Sequence, residues 1–134
     1  KYIPLAQEME HSREVLRKAG IEIDLVTEPT LSALSPSAET MLALSVREAV
    51  TNIIKHSGAN RCVIEQFVLD DEYCIRIRDN GNGLLQAGKG NGVQSMKERL
   101  AALQGEAIME ATPGKGTDVL LKVPMKTNRR VTLA

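Results

Sequence analysis

Residues 47–57 read Arg-Glu-Ala-Val-Thr-Asn-Ile-Ile-Lys-His-Ser, with polar and apolar side chains recurring at helical spacing. At about 100° per residue, the side chains of Glu48, Asn52, Lys55 and His56 fall within one arc of a helix. The neighbouring arc is apolar and contains Leu42, Val46, Ala49, Val50, Ile53 and Ile54. The stretch therefore predicts a helix that packs along one side and presents an acid, an amide, a cation and an imidazole on the other.

The ends of this helix carry recognisable signals. Ser35 can cap it with Pro36 at the first helical position, and Ser57-Gly58 ends it, so we expect a helix over residues 36–56. The oxygen pair of Glu48 and Asn52 suits Mg²⁺, which binds few protein ligands together with water and phosphate. A solvated helix face with an i, i+4 contact is the alternative interpretation.

A hairpin is expected next, with residues 61–69 and 72–79 flanking the two-residue turn Asp70-Asp71. If Leu69 pairs with Glu72, the register places Asp79 on the apolar, inward face, where an unpartnered charge is costly. The same register pairs Cys62 with Asp79, Ile64 with Ile77, Glu65 with Arg76, Phe67 with Cys74, and Val68 with Tyr73. The two thiols are therefore not expected to form a disulfide.

Three glycine-rich motifs follow the hairpin. In Asp79-Asn80-Gly81-Asn82-Gly83, a carboxylate at a strand end could accept a hydrogen bond from an exocyclic amine, although a simple turn explains the motif as well. Residues 88–92 run into a helix predicted over 93–103, where backbone N–H groups can bind an anion; a flexible linker is the alternative. Residues 114–117 form a turn between strands predicted at 106–111 and 117–123.

The order of elements predicts a two-layer α+β sandwich, with a mixed, mostly antiparallel sheet packed on about three helices. A first helix over residues 4–19 ends at Gly20 and precedes a short strand over 21–25. We expect residues 1–19 to be a connector helix or the end of a helical hairpin. Residues 20–125 would form the main domain, and residues 126–134 a solvated tail.

Composition excludes several classes of function. The chain has 134 residues and a formal net charge of zero, so no general basic field attracts a nucleic acid. Aromatic residues make up 2%, which argues against binding by base stacking. Two cysteines fit a reducing, cytoplasmic setting, and no apolar run reaches the roughly 20 residues of a membrane span. A chain that opens at Lys1 looks like a piece of a larger protein.

Taken together, the four motifs resemble the N, G1, G2 and G3 boxes of the GHKL ATPases, in the same order and over residues 37–124. This resemblance implies the GHKL (Bergerat) ATP-binding fold with a mobile ATP lid. Residues 47–57 and 90–100 are similar to the DesK group of sensor histidine kinases, whose partners are usually LuxR/NarL-type response regulators. Relatives often have Gly at the position of Ser95, and the serine of this chain would stiffen the exit of the lid.

The resemblance implies roles for the residues of the first box at the phosphate end of a nucleotide. Asn52 would coordinate Mg²⁺ that bridges the phosphates, and Glu48 would hold a metal-bound or attacking water. Lys55 and His56 would lie near the phosphate chain, where Lys55 meets a phosphate as a point charge.

The other boxes would surround the adenine and close over the phosphates. Asp79 would accept a hydrogen bond from the adenine amine, and Thr117 would close that end of the site. The pocket would be shaped by Gly81 and Gly83. The lid would contain Gly88, Gly90 and Gly92, and amides near Val93 would face phosphate.

These roles predict the catalytic domain of a homodimeric sensor histidine kinase, which binds Mg·ATP and donates the γ-phosphate to a histidine on its own dimerisation domain. No histidine of the chain lies in a phospho-acceptor context, so little autophosphorylation is expected from this stretch alone. Two alternatives are another GHKL ATPase, such as an anti-sigma-factor serine kinase, and a non-catalytic nucleotide-sensing module. No direct contact with nucleic acid or membrane is expected.

Overall fold

Five strands and three helices make up residues 1–27, 34–84 and 91–125, the part of the chain that the computed structural model describes. The sheet order is β1-β2-β3-β5-β4. The predicted α+β class is confirmed. In chain order the elements are α1 (Leu5–Lys18), β1 (Glu22–Thr27), α2 (Pro36–Asn52), a π-helical turn (Ile53–Ser57), β2 (Arg61–Leu69), β3 (Glu72–Asp79), α3 (Asn91–Ala101), β4 (Glu106–Thr112) and β5 (Gly116–Pro124).

The sheet is mixed, as predicted. β1 and β2 are parallel, whereas the pairs β2–β3, β3–β5 and β4–β5 are antiparallel. Parallel neighbours need a long crossover connection, and α2 lies within the connection between β1 and β2. The helix that carries Glu48 and Asn52 is therefore tied to the sheet at both of its ends.

The β2–β3 hairpin has the predicted register, with Leu69 opposite Glu72 and Cys62 opposite Asp79. Asp70 and Asp71 both adopt positive φ, 52° and 63°, as a tight two-residue hairpin turn requires. Because side chains alternate along a strand, this register fixes which residues of β3 face the helices. Both cysteines are free.

The ion pairs on the outer face of the sheet differ from the expected Glu65–Arg76 pair. These two residues stand opposite each other, but a guanidinium nitrogen of Arg78 lies 3.0 Å from Oε1 of Glu65. Nε of Arg76 lies 3.0 Å from Oδ1 of Asp118, on the other neighbouring strand. Each arginine side chain is thus long enough to bind a carboxylate diagonally across from it on a neighbouring strand.

The ends of the helices follow the sequence signals only in part. Ser35 caps α2, since its Oγ accepts a hydrogen bond from the N–H of Ala38 at 3.1 Å. The α-helix stops at Asn52 and continues as the π-helical turn, which ends at Gly58 with φ 66°. α3 begins at Asn91, ahead of the predicted start at residue 93.

The core lies between the three helices and one face of the sheet. Aliphatic residues dominate it, and Tyr73 is the one fully buried aromatic residue of the chain's three. Fully buried core residues include Leu16, Leu42, Val46, Ile64, Ile75, Ile77, Met96, Leu100 and Leu121.

Among the described residues, each helix is too short or too polar to span a lipid bilayer.

α1 is joined to α2 by an ion pair at the edge of this core. A guanidinium nitrogen of Arg47 lies 2.8 Å from Oε1 of Glu8, whose side chain is only 3% exposed. The second carboxylate oxygen of Glu8 is buried without a hydrogen-bond partner among the described residues. The ion pair with Arg47 therefore compensates for burying the Glu8 carboxylate.

Arg47→Met is expected to lower the free energy of unfolding by about 1–3 kcal/mol, because it leaves the Glu8 carboxylate buried and unpaired. Adding Glu8→Leu should recover most of the loss, since an apolar pair needs no compensation. Urea unfolding of the single and double variants measures both effects.

Arg13→Met supplies the matched control. Arg13 pairs with Glu10 at 3.4 Å on the exposed side of α1, the helix that also carries Glu8. Its effect is expected to stay within about 0.5 kcal/mol. Equal losses in Arg47→Met and Arg13→Met would contradict the role given to Glu8.

Candidate functional site

Asp79 ends β3 on the helix-facing side of the sheet, between Cys62 of β2 and Thr117 of β5. Its Oδ1 accepts a hydrogen bond from the N–H of Gly81 at 2.8 Å. Burial raises the pKa of Asp79, and the backbone N–H groups of Gly81 and Thr117 oppose that rise. The predicted inward carboxylate is therefore present, and its surroundings penalise its charge.

Cys62 of β2 stands directly opposite Asp79 in the sheet. Its side chain is fully buried, and burial, with a smaller contribution from the charge of Asp79, raises its pKa to about 12. The thiol is consequently uncharged at neutral pH. Asp79 therefore has an uncharged neighbour on β2, which supplies no charge to compensate the carboxylate.

The glycines that follow Asp79 allow segments of this chain to touch. A Cβ at Gly81 would collide with Ser57, at the end of the π-helical turn. Gly83 has φ 69°, and a Cβ there would collide with the carbonyl oxygen of Thr112 at the end of β4. Both glycines therefore let the loop after β3 pack closely on the chain's own backbone, and their role in shaping a ligand pocket stays a prediction.

Glu48 lies against the start of α3. The Glu48 side chain is half-buried, and a Cβ added at Gly92 would collide with its carboxylate. Asn52 is one helical turn further along α2, so periodicity places it on the same face. A carboxylate therefore lies against the N-terminus of α3, whose first turn includes Val93, and the Asn52 amide follows on the same face of α2.

This set of donors fits Mg²⁺ held jointly with phosphates. Glu48 and Asn52 supply oxygen ligands from one helix face, which suits a metal that keeps several water or phosphate ligands. Among the described residues, no cluster of three or more His, Cys, Asp or Glu side chains could hold a metal by itself. The protein groups alone would therefore leave most of the metal's coordination sphere to a ligand.

Lys55 belongs to the π-helical turn that follows Asn52. It lines a groove of about 330 Å³ between α1 and α2, together with Arg47, Thr51 and Glu8. The side chain of His56 is exposed, and His11 of α1 also lines the groove. A role of Lys55 and His56 at the phosphates stays a prediction.

The predicted lid falls largely outside the described residues. Gly88 and Gly90 lie in the stretch 85–90, of which the structure describes nothing. Gly92, assigned to the lid from the sequence, belongs to the first turn of α3 instead.

Sequence reasoning missed the contacts of Asn80 and Asn82, the two asparagines of the motif over residues 79–83. Oδ1 of Asn80 accepts hydrogen bonds from the N–H groups of Asn60 and Arg61, at 3.1 and 3.0 Å. Nδ2 of Asn82 donates to the carbonyl oxygen of His56 at 3.1 Å. The available signal was the residue type, because Asn side chains commonly bond backbone groups in turns.

The chain matches, over residues 37–127, the family described as "Histidine kinase-, DNA gyrase B-, and HSP90-like ATPase". It belongs to this family and is an ATP-binding domain. The matched region begins in the first turn of α2 and contains Glu48, Asn52, Asp79 and Thr117.

Among curated proteins, the chain is similar to sensor histidine kinases of Bacillus subtilis (strain 168). It is 33% identical to YvfT over 92% of this chain and 33% of that protein. It is 32% identical to the kinase/phosphatase DegS over 81% of this chain and 30% of that protein. For DesK the identity is 29%, over 92% of this chain and 34% of that protein. The chain thus spans about a third of the length of these relatives.

Solved structures confirm the fold. A blue-light activated histidine kinase of Erythrobacter litoralis EL346 superposes with a TM-score of 0.76 at 17% identity, over 96% of this chain and 44% of that one. The histidine kinase AdeS of Acinetobacter baumannii gives a TM-score of 0.74 at 16% identity, over 93% of this chain and 66% of that one. The predicted ATP-binding fold of the GHKL type is therefore correct.

Asp79→Asn is expected to raise the free energy of unfolding at neutral pH, since the amide retains an acceptor for the N–H of Gly81 and buries no charge. The pKa of Asp79 is raised above its ordinary 3.8 in the folded state, so the wild-type protein loses stability as the pH rises from 3.8 through the raised value. The difference in free energy of unfolding between Asp79→Asn and the wild type should therefore be largest above the raised pKa. It should vanish below pH 3.8.

Urea unfolding of the two proteins at a series of pH values measures this difference. A variant that is less stable than the wild type at neutral pH would contradict the prediction. So would a gain in stability that does not change with pH.

Proposed function

We propose that the chain is the catalytic domain of a sensor histidine kinase, binding Mg·ATP with its adenine at Asp79 and its phosphates between α2 and α3. The observation that carries this proposal is the inward, half-buried carboxylate of Asp79 at the end of β3. Such a group needs a hydrogen-bond donor from outside the core, and the exocyclic amine of adenine is one.

At the adenine end, the chain's own groups would orient the base. The N–H of Gly81 holds one oxygen of Asp79 at 2.8 Å, so the carboxylate has a fixed direction before a ligand arrives. The uncharged thiol of Cys62 lies on one side and Thr117 on the other. With Tyr73 enclosed in the core, aliphatic side chains and the carboxylate would recognise the base without an aromatic stack.

At the phosphate end, Asn52 would hold Mg²⁺ and Glu48 a metal-bound or attacking water. The N–H groups at the start of α3, near Gly92 and Val93, would bind phosphate oxygens. Bound Mg²⁺ supplies charge neutralisation of the transferring phosphoryl group. Lys55 and His56 are proposed to lie near the phosphate chain, and the segment with Gly88 and Gly90 to be the lid.

The similarity to YvfT, DegS and DesK supports a kinase that phosphorylates a histidine over the anti-sigma-factor kinase and the sensing module. For the whole protein we propose a homodimer in the cytoplasm, whose dimerisation domain carries the accepting histidine. A LuxR/NarL-type response regulator would then receive the phosphoryl group. Residues 1–19 would connect to the dimerisation domain, 20–125 form the ATP-binding domain and 126–134 a tail.

The domain is expected to bind ATP in a Mg²⁺-dependent manner by isothermal titration calorimetry. Asp79→Asn should weaken binding by about tenfold to a hundredfold, the range for losing a hydrogen bond to a charged group. Asn52→Ala should abolish the increase in ATP affinity that Mg²⁺ causes. The affinity in EDTA, which is weaker, should stay unchanged.

Asp70→Asn is the matched control, because Asp70 lies in the exposed turn at the opposite end of β3. It should bind Mg·ATP as the wild type does. Absence of binding by the wild-type domain, or full affinity in Asp79→Asn, would overturn the site assignment.

The whole protein is expected to autophosphorylate from γ-labelled ATP on a histidine, giving a phosphate label that is stable in base and labile in acid. Asn52→Ala should abolish the label, and phosphotransfer should be faster to LuxR/NarL-type regulators than to other receiver families. Label on serine in a partner protein would instead favour the anti-sigma-factor kinase.

A further inference from the structure

Asn82 lies where three segments of the chain meet. Its N–H donates to the carbonyl oxygen of Ser57 at 2.8 Å, and its carbonyl oxygen accepts from the N–H of Gly114 at 2.7 Å. Its side chain adds two bonds: Nδ2 donates to the carbonyl oxygen of His56 at 3.1 Å, and Oδ1 accepts from the N–H of Leu84 at 2.9 Å. Both hydrogen-bonding groups of the side-chain amide are thus in use.

The bonds to His56 and Ser57 fall at the end of the π-helical turn. The last carbonyl groups of a helix have no partner within that helix and need one from elsewhere. Asn82 supplies donors to two of them from the loop that follows β3. The contact works as a C-terminal cap delivered by another segment of the chain.

This cap joins the two halves of the proposed nucleotide site. Asn52 is the last residue of α2 before the π-helical turn, and Asp79 is the last residue of β3 before the loop. The two side chains stand on different elements, yet one nucleotide would have to satisfy both. A tie that exists before binding reduces the ordering that the ligand must impose.

We propose that the Asn82 side chain is a positioning residue that fixes the phosphate-binding end of α2 relative to the adenine-binding end of β3. This rests on the proposed function, since it assigns Asn52 to the metal and phosphates and Asp79 to adenine. Asn82 itself acts through the carbonyl group of His56 and the N–H group of Leu84.

Asn80 offers a matched control within the same loop. Its side chain is also fully engaged, with Oδ1 accepting from Asn60 and Arg61 and Nδ2 donating to Oδ1 of Asn60 at 2.8 Å. These bonds tie the loop to the start of β2 and do not reach the π-helical turn. Loss of the Asn80 side chain should therefore reduce stability without a selective effect on phosphate binding.

The test measures ATP affinity by calorimetry in Mg²⁺ and in EDTA for Asn82→Ala and Asn80→Ala. Asn82→Ala is expected to weaken Mg·ATP binding by about tenfold and binding in EDTA by less than about twofold. Asn80→Ala should change both affinities by the same factor. Equal losses with and without Mg²⁺ in Asn82→Ala would overturn the proposal.

A double-mutant cycle with Asn52→Ala tests whether Asn82 acts through α2. If it does, adding Asn82→Ala to Asn52→Ala should cost less than about twofold, because the coupling that it supports is already lost. Additive losses would mean that Asn82 does not position Asn52. A wild-type domain that fails to bind Mg·ATP at all would instead overturn the proposed function.

Asn82→Ser separates the two side-chain bonds and guards against a folding defect in the alanine variant. The serine hydroxyl can still accept from the N–H of Leu84, as in a turn of this kind, but is too short to reach the His56 carbonyl. It should show the same Mg²⁺-selective loss, at an unfolding midpoint closer to that of the wild type. A serine variant with wild-type Mg·ATP affinity would refute the role of the bond to His56.

Discussion

The alternation of side chains along β3 is the constraint on which the site depends. Ile75 and Ile77 are fully buried against the helices, and a strand that buries them must turn Asp79 to the same side. Packing of the core therefore places the Asp79 carboxylate on the helix-facing side at the end of β3, where burial raises its pKa. A one-residue slip of the hairpin would free Asp79 from this position only by exposing the core. Core packing and the placement of the charge cannot be separated.

Electrostatics divide the sheet into two different surfaces. On the outer face, Arg76 and Arg78 are paired with Asp118 and Glu65, and Lys122 with Glu72 and Glu106. On the helix side, the proposed site holds two carboxylates, those of Glu48 and Asp79. A triphosphate would meet negative charge there, so its binding would depend on a metal ion and on helix-start N–H groups. The zero net charge of the chain conceals this local arrangement.

Features that depend on residues close together in the sequence were predicted correctly. The hairpin register followed from alternation and a two-residue turn, and the start of α2 from Ser35 and Pro36. The π-helical turn could not be foreseen, because apolar spacing over five residues does not separate it from an α-helix. That turn changes the directions of the side chains beyond Asn52, so the face of Lys55 could not be read from helical periodicity.

The contacts of Asn80 and Asn82 were beyond prediction for a second reason. They join loops that are far apart in sequence, and nothing local specifies which carbonyl group lies within reach. The parallel pairing of β1 with β2 has the same origin, since it is formed across the whole of α2. Alternation likewise predicted that Glu65 faces Arg76, but the reach of a flexible guanidinium decided which carboxylate each arginine binds.

The burial of Cys62 beside Asp79 has a consequence for the chemical durability of the site. Burial raises the pKa of the Cys62 thiol to about 12, so almost none of the thiol is ionised at neutral pH. Alkylating reagents, peroxides and disulfides react with the thiolate, so each would attack this position slowly. The chain can thus place sulfur next to the proposed base-binding carboxylate and still resist oxidants that inactivate exposed cysteines.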